Sequence, residues 1–97
     1  MVKLALLVRL EAKPGKEQEV SDFIKSAQSL AEQEQGTISW YALRLGDSTF
    51  GIFDTFENDD GRQAHLNGPI ANALMAKAKE LLSKEPDIEQ VEILAVK

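Results

Sequence analysis

The sequence predicts an α+β domain in which helices cover one face of an antiparallel four-stranded sheet. Three observations predict it. Apolar residues alternate near both ends of the chain, two β-rich runs flank "GDS" in the middle, and the stretches between carry apolar residues at helical spacing.

In the first element, Leu4, Leu6, Val8 and Leu10 alternate with Ala5, Leu7 and Arg9, the period-2 signature of a strand. Pro14-Gly15 breaks it. Val20, Phe23, Ile24, Ala27, Leu30 and Ala31 then recur as one helical stripe, with Gly36 as a stop. Thr37 to Leu45 and Thr49 to Glu57 are rich in β-branched and aromatic types and predict a hairpin. Asn58 offers a side-chain cap to a short helix whose first turn holds Asp59 and Asp60, where negative charge suits the helix dipole; that helix carries His65 and stops at Gly68. Pro69 suits the first position of another helix, in which Ile70, Ala73, Leu74, Ala78, Leu81 and Leu82 form an apolar stripe until Pro86. Alternation returns from Ile88 to Val96. The order β-α-β-β-α-α-β is that of a split β-α-β, or ferredoxin-like, sandwich.

The 97 residues show no repeat, linker or composition break and read as one domain, 1–97. Sixteen acidic against eleven basic residues, net charge −5, leave no basic stripe for a phosphate backbone, which argues against nucleic acid. The apolar run near the start is far short of the ~20 residues of a membrane span and lacks a cleavage site. With no cysteine, disulfides, thiolate nucleophiles and Cys-type zinc sites are excluded. The expectation is a cytoplasmic protein bound to neither membrane nor nucleic acid.

Sorted by parity, every strand is apolar on both sides: Leu4, Leu6 and Val8 against Leu7; Trp40 against Tyr41 and Leu43; Phe50, Ile52 and Phe56 against Phe53. Helices cover one side only, and a large apolar patch on the other needs a cover. The simplest cover is a second copy about a two-fold axis, giving a homodimer through the sheets. The space between them would be an apolar, aromatic-lined pocket, with Arg9, Arg44 and Asp54 as its candidate polar groups.

His65, the one histidine, has two readings: a proton acceptor at a pocket mouth, or a polar residue capping its helix end. Asp54 lies between Ile52 and Phe56 on one strand face, so burial would raise its pKa unless Arg9 or Arg44 pairs with it; a catalytic base and a structural ion pair are both open. Trp40, Tyr41, Phe50, Phe53 and Phe56 could stack on a flat ligand or serve only as core. No phosphate loop, strained serine turn or metal-spaced histidine pair is present.

The element order, together with "VRLEAKPGKEQEVSDFI", "EQEQGTISWYAL" and "FGIFDTFENDDGRQAHL", resembles the antibiotic biosynthesis monooxygenase family across nearly the whole chain. That family's local pattern is an acidic residue, a spacer, an aromatic that is usually Trp, and a short helix ending in His. Here it is Asp54, Thr55, Phe56 and His65, with Phe56 in the Trp position. The resemblance implies a dimeric α/β barrel. It also implies oxidation of a small phenolic, hydroquinone or polyketide-like aromatic by O₂, with no cofactor, neither metal nor flavin. His65 and Asp54 would be the acid/base residues, and Trp40, Arg44, Phe56 and Arg9 the substrate-binding ones. Some relatives degrade haem using an Asn on the first strand and a Trp beside the haem. Residues 1–10 hold no Asn and the single Trp is on the second strand, which disfavours that branch. A non-catalytic protein binding a small hydrophobic metabolite, and a dimeric scaffold, are the competing expectations.

Overall fold

A computed structural model describes residues 2–97. The elements run β1 (Leu4–Glu11), α1 (Glu17–Ser26), α2 (Gln28–Glu32), β2 (Ser39–Arg44), β3 (Thr49–Phe56), α3 (Asp59–Leu66), α4 (Pro69–Leu81) and β4 (Asp87–Glu92). All strand pairs are antiparallel and the sheet order is β2-β3-β1-β4, a ferredoxin-like α+β fold whose sheet stays open within the chain.

Register explains the core. Leu6 pairs with Asp54 and Val8 with Ile52 across β1 and β3, while Trp40 pairs with Asp54 across β2 and β3. Side chains of one parity therefore share a face. Val8, Leu10, Phe50 and Ile52 pack with Val20 and Ile24 of α1 and with Leu74 and Leu81 of α4 in one buried cluster. The opposite face has no helix. There Leu7, Leu43 and Phe53 are half-buried, and Tyr41 is 54% exposed, its ring stacked on Phe53 with centroids 6.5 Å apart.

Two elements differ from the sequence expectation. The helix expected to run unbroken through Ala31 divides at Ala27, where the backbone tightens to three-residue spacing: Ala27 N–H donates to the Ile24 carbonyl at 3.2 Å and Leu30 N–H to that of Ala27 at 3.1 Å. Ser26 and Ser29 hydroxyls bond back to the carbonyls of Phe23 and Ser26, competing with the helical ladder. The last strand, expected to reach Val96, ends at Glu92. Its partner β1 begins at Leu4, opposite Glu92, and one further bond from Ile93 N–H to the Lys3 carbonyl exhausts the ladder. Leu94 beyond it is 86% exposed.

Candidate active site

The site assembles where α3, β3 and the loop after α2 meet. Asn58 starts α3, its side chain accepting the Gly61 N–H at 3.0 Å, and Asp59 and Asp60 occupy the first turn. His65 falls in the last turn, where the helix dipole favours a cation. The loop carrying Glu34 is drawn against α3 by contact between two glycines: a Cβ on Gly61 would lie 2.8 Å from the Gly36 carbonyl oxygen, and one on Gly36 2.9 Å from the Gly61 Cα. No residue with a side chain permits that approach without movement.

The consequence is a histidine held from both sides. Its Nδ1 is 2.6 Å from Glu34 Oε1, its Nε2 is 2.8 Å from Asp54 Oδ2, and the residue is 7% exposed. Phe56, fully buried, leans on the ring with centroids 5.6 Å apart. A neutral imidazole has one N–H, so between two carboxylates one ring lone pair would face an anion; protonation makes the Glu34 contact a charge-assisted hydrogen bond and the Asp54 contact an ion pair. Burial by itself would lower the His65 pKa. The hydrogen bonding and charge of Asp54, followed by those of Glu34, outweigh it and raise the value from 6.5 to about 9. At neutral pH His65 is therefore held as an imidazolium.

Asp54 is fully buried; its Oδ2 meets His65 Nε2 at 2.8 Å as a close charge pair without hydrogen-bond alignment, and its Oδ1 has no partner. Trp40, directly across in register, has its indole N–H buried and equally unpartnered. Glu34 Oε1 also accepts from the Thr37 hydroxyl at 2.8 Å, whereas its Oε2 has no partner. Outside this unit lies a cleft of about 340 Å³, lined by Glu34, Gly36, Thr37, Ala64, His65 and Pro69 among others.

The structure thus brings together His65, Asp54 and Phe56, with Trp40 beside Asp54. It does not bring in the arginines. Asp54 pairs with His65 rather than with Arg9 or Arg44, because the alternation sends those groups elsewhere. Arg9 is exposed on the sheet face without helices. Arg44 shares the helix-side parity of Asp54 but pairs with Phe50, four residues along β3 and so ~13 Å away. There it sits 5.0 Å over the Phe50 ring and donates to the Gly46 and Asp47 carbonyls. Of the three polar groups expected between two sheet faces, only Arg9 is on the open face; Asp54 and Arg44 face the helices. A separate cavity of about 470 Å³ does lie on the open side, bounded by Ile38, Ser39, Tyr41, Phe53 and Thr55 together with the C-terminal residues.

Glu34 is the residue that sequence reasoning missed. It sits in the loop preceding Gly36, 31 positions from His65, and its one sequence signal is that glycine, read only as a helix stop. The two carboxylates address opposite ring nitrogens, and among the described residues no three His, Cys, Asp or Glu side chains form a group that could hold a metal ion. Among the same residues no helix is long and apolar enough to cross a membrane.

No curated protein gives a match. Among solved structures, a protein of unknown function from Nitrosomonas europaea is 62% identical with a TM-score of 0.98, over 100% of this chain and 94% of that one. A Mycobacterium tuberculosis protein matches at 15% identity and TM-score 0.85, covering 97% of each chain. A Caulobacter crescentus protein proposed to be an antibiotic biosynthesis monooxygenase matches at 15% identity and TM-score 0.81, over 97% of this chain and 92% of that one. These last two likenesses are of fold. The family model described as antibiotic biosynthesis monooxygenase matches residues 4–77, from the first residue of β1 into α4 and through the whole Glu34–His65–Asp54 unit, so the chain belongs to the antibiotic biosynthesis monooxygenase family.

Proposed function

We propose that this protein is a cytoplasmic, homodimeric monooxygenase that uses neither metal nor flavin and oxidises a small phenol, hydroquinone or polyketide-like aromatic with O₂. The observation that carries this reading is the buried His65, gripped by two carboxylates at the floor of a cleft, in a chain of this family. A solvated helix-end histidine would need neither partner.

The chemistry asked of the protein is proton removal and exclusion of water. A phenolate is far more electron-rich than its phenol and can pass an electron to O₂. Recombination of the radical pair at a ring carbon that bears hydrogen, para to the oxygen in a phenol or beside it in a hydroquinone, gives a hydroperoxide, which loses that hydrogen and the outer oxygen as water to leave a quinone. Phenol plus O₂ becomes quinone plus water, one oxygen atom going to each product, and the substrate supplies all four electrons. The Glu34–His65–Asp54 unit can take up the phenolic proton and return it to the departing water. Phe56 and Trp40 wall the unit and keep it dry. Arg9 and Arg44 are too distant for a part in this step within one chain. The open face, with Leu7, Tyr41, Leu43 and Phe53, supports the dimer, since a self-complementary apolar patch is covered by a second copy.

The test is oxygen uptake with a panel of hydroquinones, naphthols and anthrones in the presence of a chelator. Turnover with one O₂ consumed per quinone is expected, lowered ~100-fold or more by His65→Ala. One feature favours a second reading: at neutral pH His65 already carries its proton, which suits a site that only orients a bound metabolite. Saturable binding with no oxygen uptake by any member of the panel would replace the enzyme with that binding protein. Light scattering at micromolar concentration checks the dimer.

A further inference from the structure

We infer that the groove between α1 and the free edge of β2 is a second ligand site, which takes a small carboxylate with a short apolar body through Arg44 and Lys25. It lies toward the opposite end of β2 from the Glu34–His65–Asp54 unit and does not depend on the reaction proposed for that unit.

Helical spacing and strand register build it. Ser21 and Lys25 are one turn apart with Ile24 between them, so the three fall on one side of α1, while Ala42 and Arg44 of β2 share the helix-side face of the sheet with Phe50. These residues bound a groove of about 240 Å³. The chain has sixteen acidic against eleven basic residues, yet the charged groups on this lining are two cations and no anion. Neither cation has a carboxylate partner among the described residues, where the ion pairs of Lys and Arg are Lys16–Glu19, Arg62–Asp59 and Lys77–Glu80. Asp22, next to Ser21, instead accepts from the Gln18 amide at 2.9 Å. Two like charges on one groove repel each other, and an anion between them reverses the sign of that interaction.

Arg44 is also held ready. Its guanidinium lies 5.0 Å over the Phe50 ring, and its Nε and Nη2 each donate to a carbonyl, of Gly46 and of Asp47, at 3.3 Å. Those contacts set the plane of the fork and leave both N–H groups of Nη1 unused. The sheet edge adds donors. Leu45 N–H bonds to the Thr49 carbonyl, and because an antiparallel ladder alternates, Ala42 and Arg44 turn their N–H groups away from β3 on the strand that ends the sheet.

The donors select the ligand. Cations and N–H groups call for an anionic acceptor, and a planar carboxylate matches the guanidinium fork. Ile24 and Ala42 supply an apolar wall, and the volume, below that of most ligand pockets, admits one ring or a short chain. The groove is on the helix side of the sheet, so a dimer joined through the open faces leaves it accessible.

The experiment is an amide chemical-shift titration of the ¹⁵N-labelled protein with three probes: benzoate, benzamide, which keeps the ring without the charge, and inorganic phosphate, which keeps the charge without the ring. Benzoate is expected to move the amides of residues 21–25 and 42–44 saturably at millimolar concentration, and the other two probes to bind at least about tenfold more weakly. Arg44→Gln should weaken benzoate by about tenfold and Lys25→Gln in the same direction. Both side chains are exposed, so the variants should fold, and the three probes on the unmodified protein decide the matter without them. Equal binding of benzoate and benzamide, phosphate as tight as benzoate, affinity for benzoate unchanged by Arg44→Gln, shifts centred on residues 34–37 and 65, or no saturable shift at millimolar concentration would each overturn the assignment.

Discussion

Raising the pH from about 7 to about 9 should take His65 in the folded protein from almost fully protonated to about half protonated and so weaken what holds α3 against β3. In the folded chain the imidazole titrates at about 9; in the unfolded chain it returns to its ordinary 6.5. A pKa raised on folding gives stability that is complete below 6.5 and disappears as pH climbs through the folded value. Between those values the folded state binds more protons than the unfolded state, so stability must fall as pH rises. The gap between 6.5 and about 9, at ~1.4 kcal/mol per pH unit, sets a ceiling of about 3 kcal/mol, of which about 2 kcal/mol should vanish between pH ~7 and ~9. For a chain of this length that is roughly a 10 °C fall in melting temperature. Urea unfolding across this range at fixed protein concentration measures it, with His65→Gln as the reference that has no imidazole to titrate. The variant will be less stable throughout but should show a shallower slope. Identical slopes for the two proteins, or an imidazole seen by NMR to titrate near 6.5, would refute the clamp.

Gly61→Ala places a methyl 2.8 Å from the Gly36 carbonyl oxygen, so the 34–37 loop must retreat; a stability loss of roughly 1–3 kcal/mol and a lower His65 pKa are expected, read by urea unfolding and NMR titration. Trp40→Phe removes an indole N–H that has no partner in the fold; the cost should stay within about 1.5 kcal/mol, and a larger loss by urea unfolding would mean that the N–H is engaged. Glu11 is held below its ordinary 4.5, first by the Ser48 hydroxyl and then by that of Thr49, so its stabilisation is present above 4.5 and lost as pH falls through the lowered folded value. Glu11→Gln should flatten that part of the acid unfolding curve.

Local pattern carried the sequence reading a long way. Alternation at Leu4–Leu10 and Thr49–Glu57, the Asn58 cap and Pro69 at a helix start are short-range constraints, satisfied within a few residues, and they fixed element type and order. They also marked Asp54 as a carboxylate between Ile52 and Phe56, while composition marked His65 as the one histidine. Where pattern depends on a neighbour it fell short. The end of β4 is set by the length of β1, and the break at Ala27 by serine hydroxyls reaching back for carbonyls.

The chain by itself determined that Arg9 and Leu6 point to opposite faces, because a strand's period is two; it could not say which face the helices would cover, nor which residue of β3 stands opposite Trp40. Those are questions of register. Only the folded structure decided them, placing Asp54 under α3 and leaving Arg9 on the open face. Only it brought in Glu34, since a contact across 31 residues depends on two glycine backbones meeting at Gly36 and Gly61, and no local periodicity encodes that meeting.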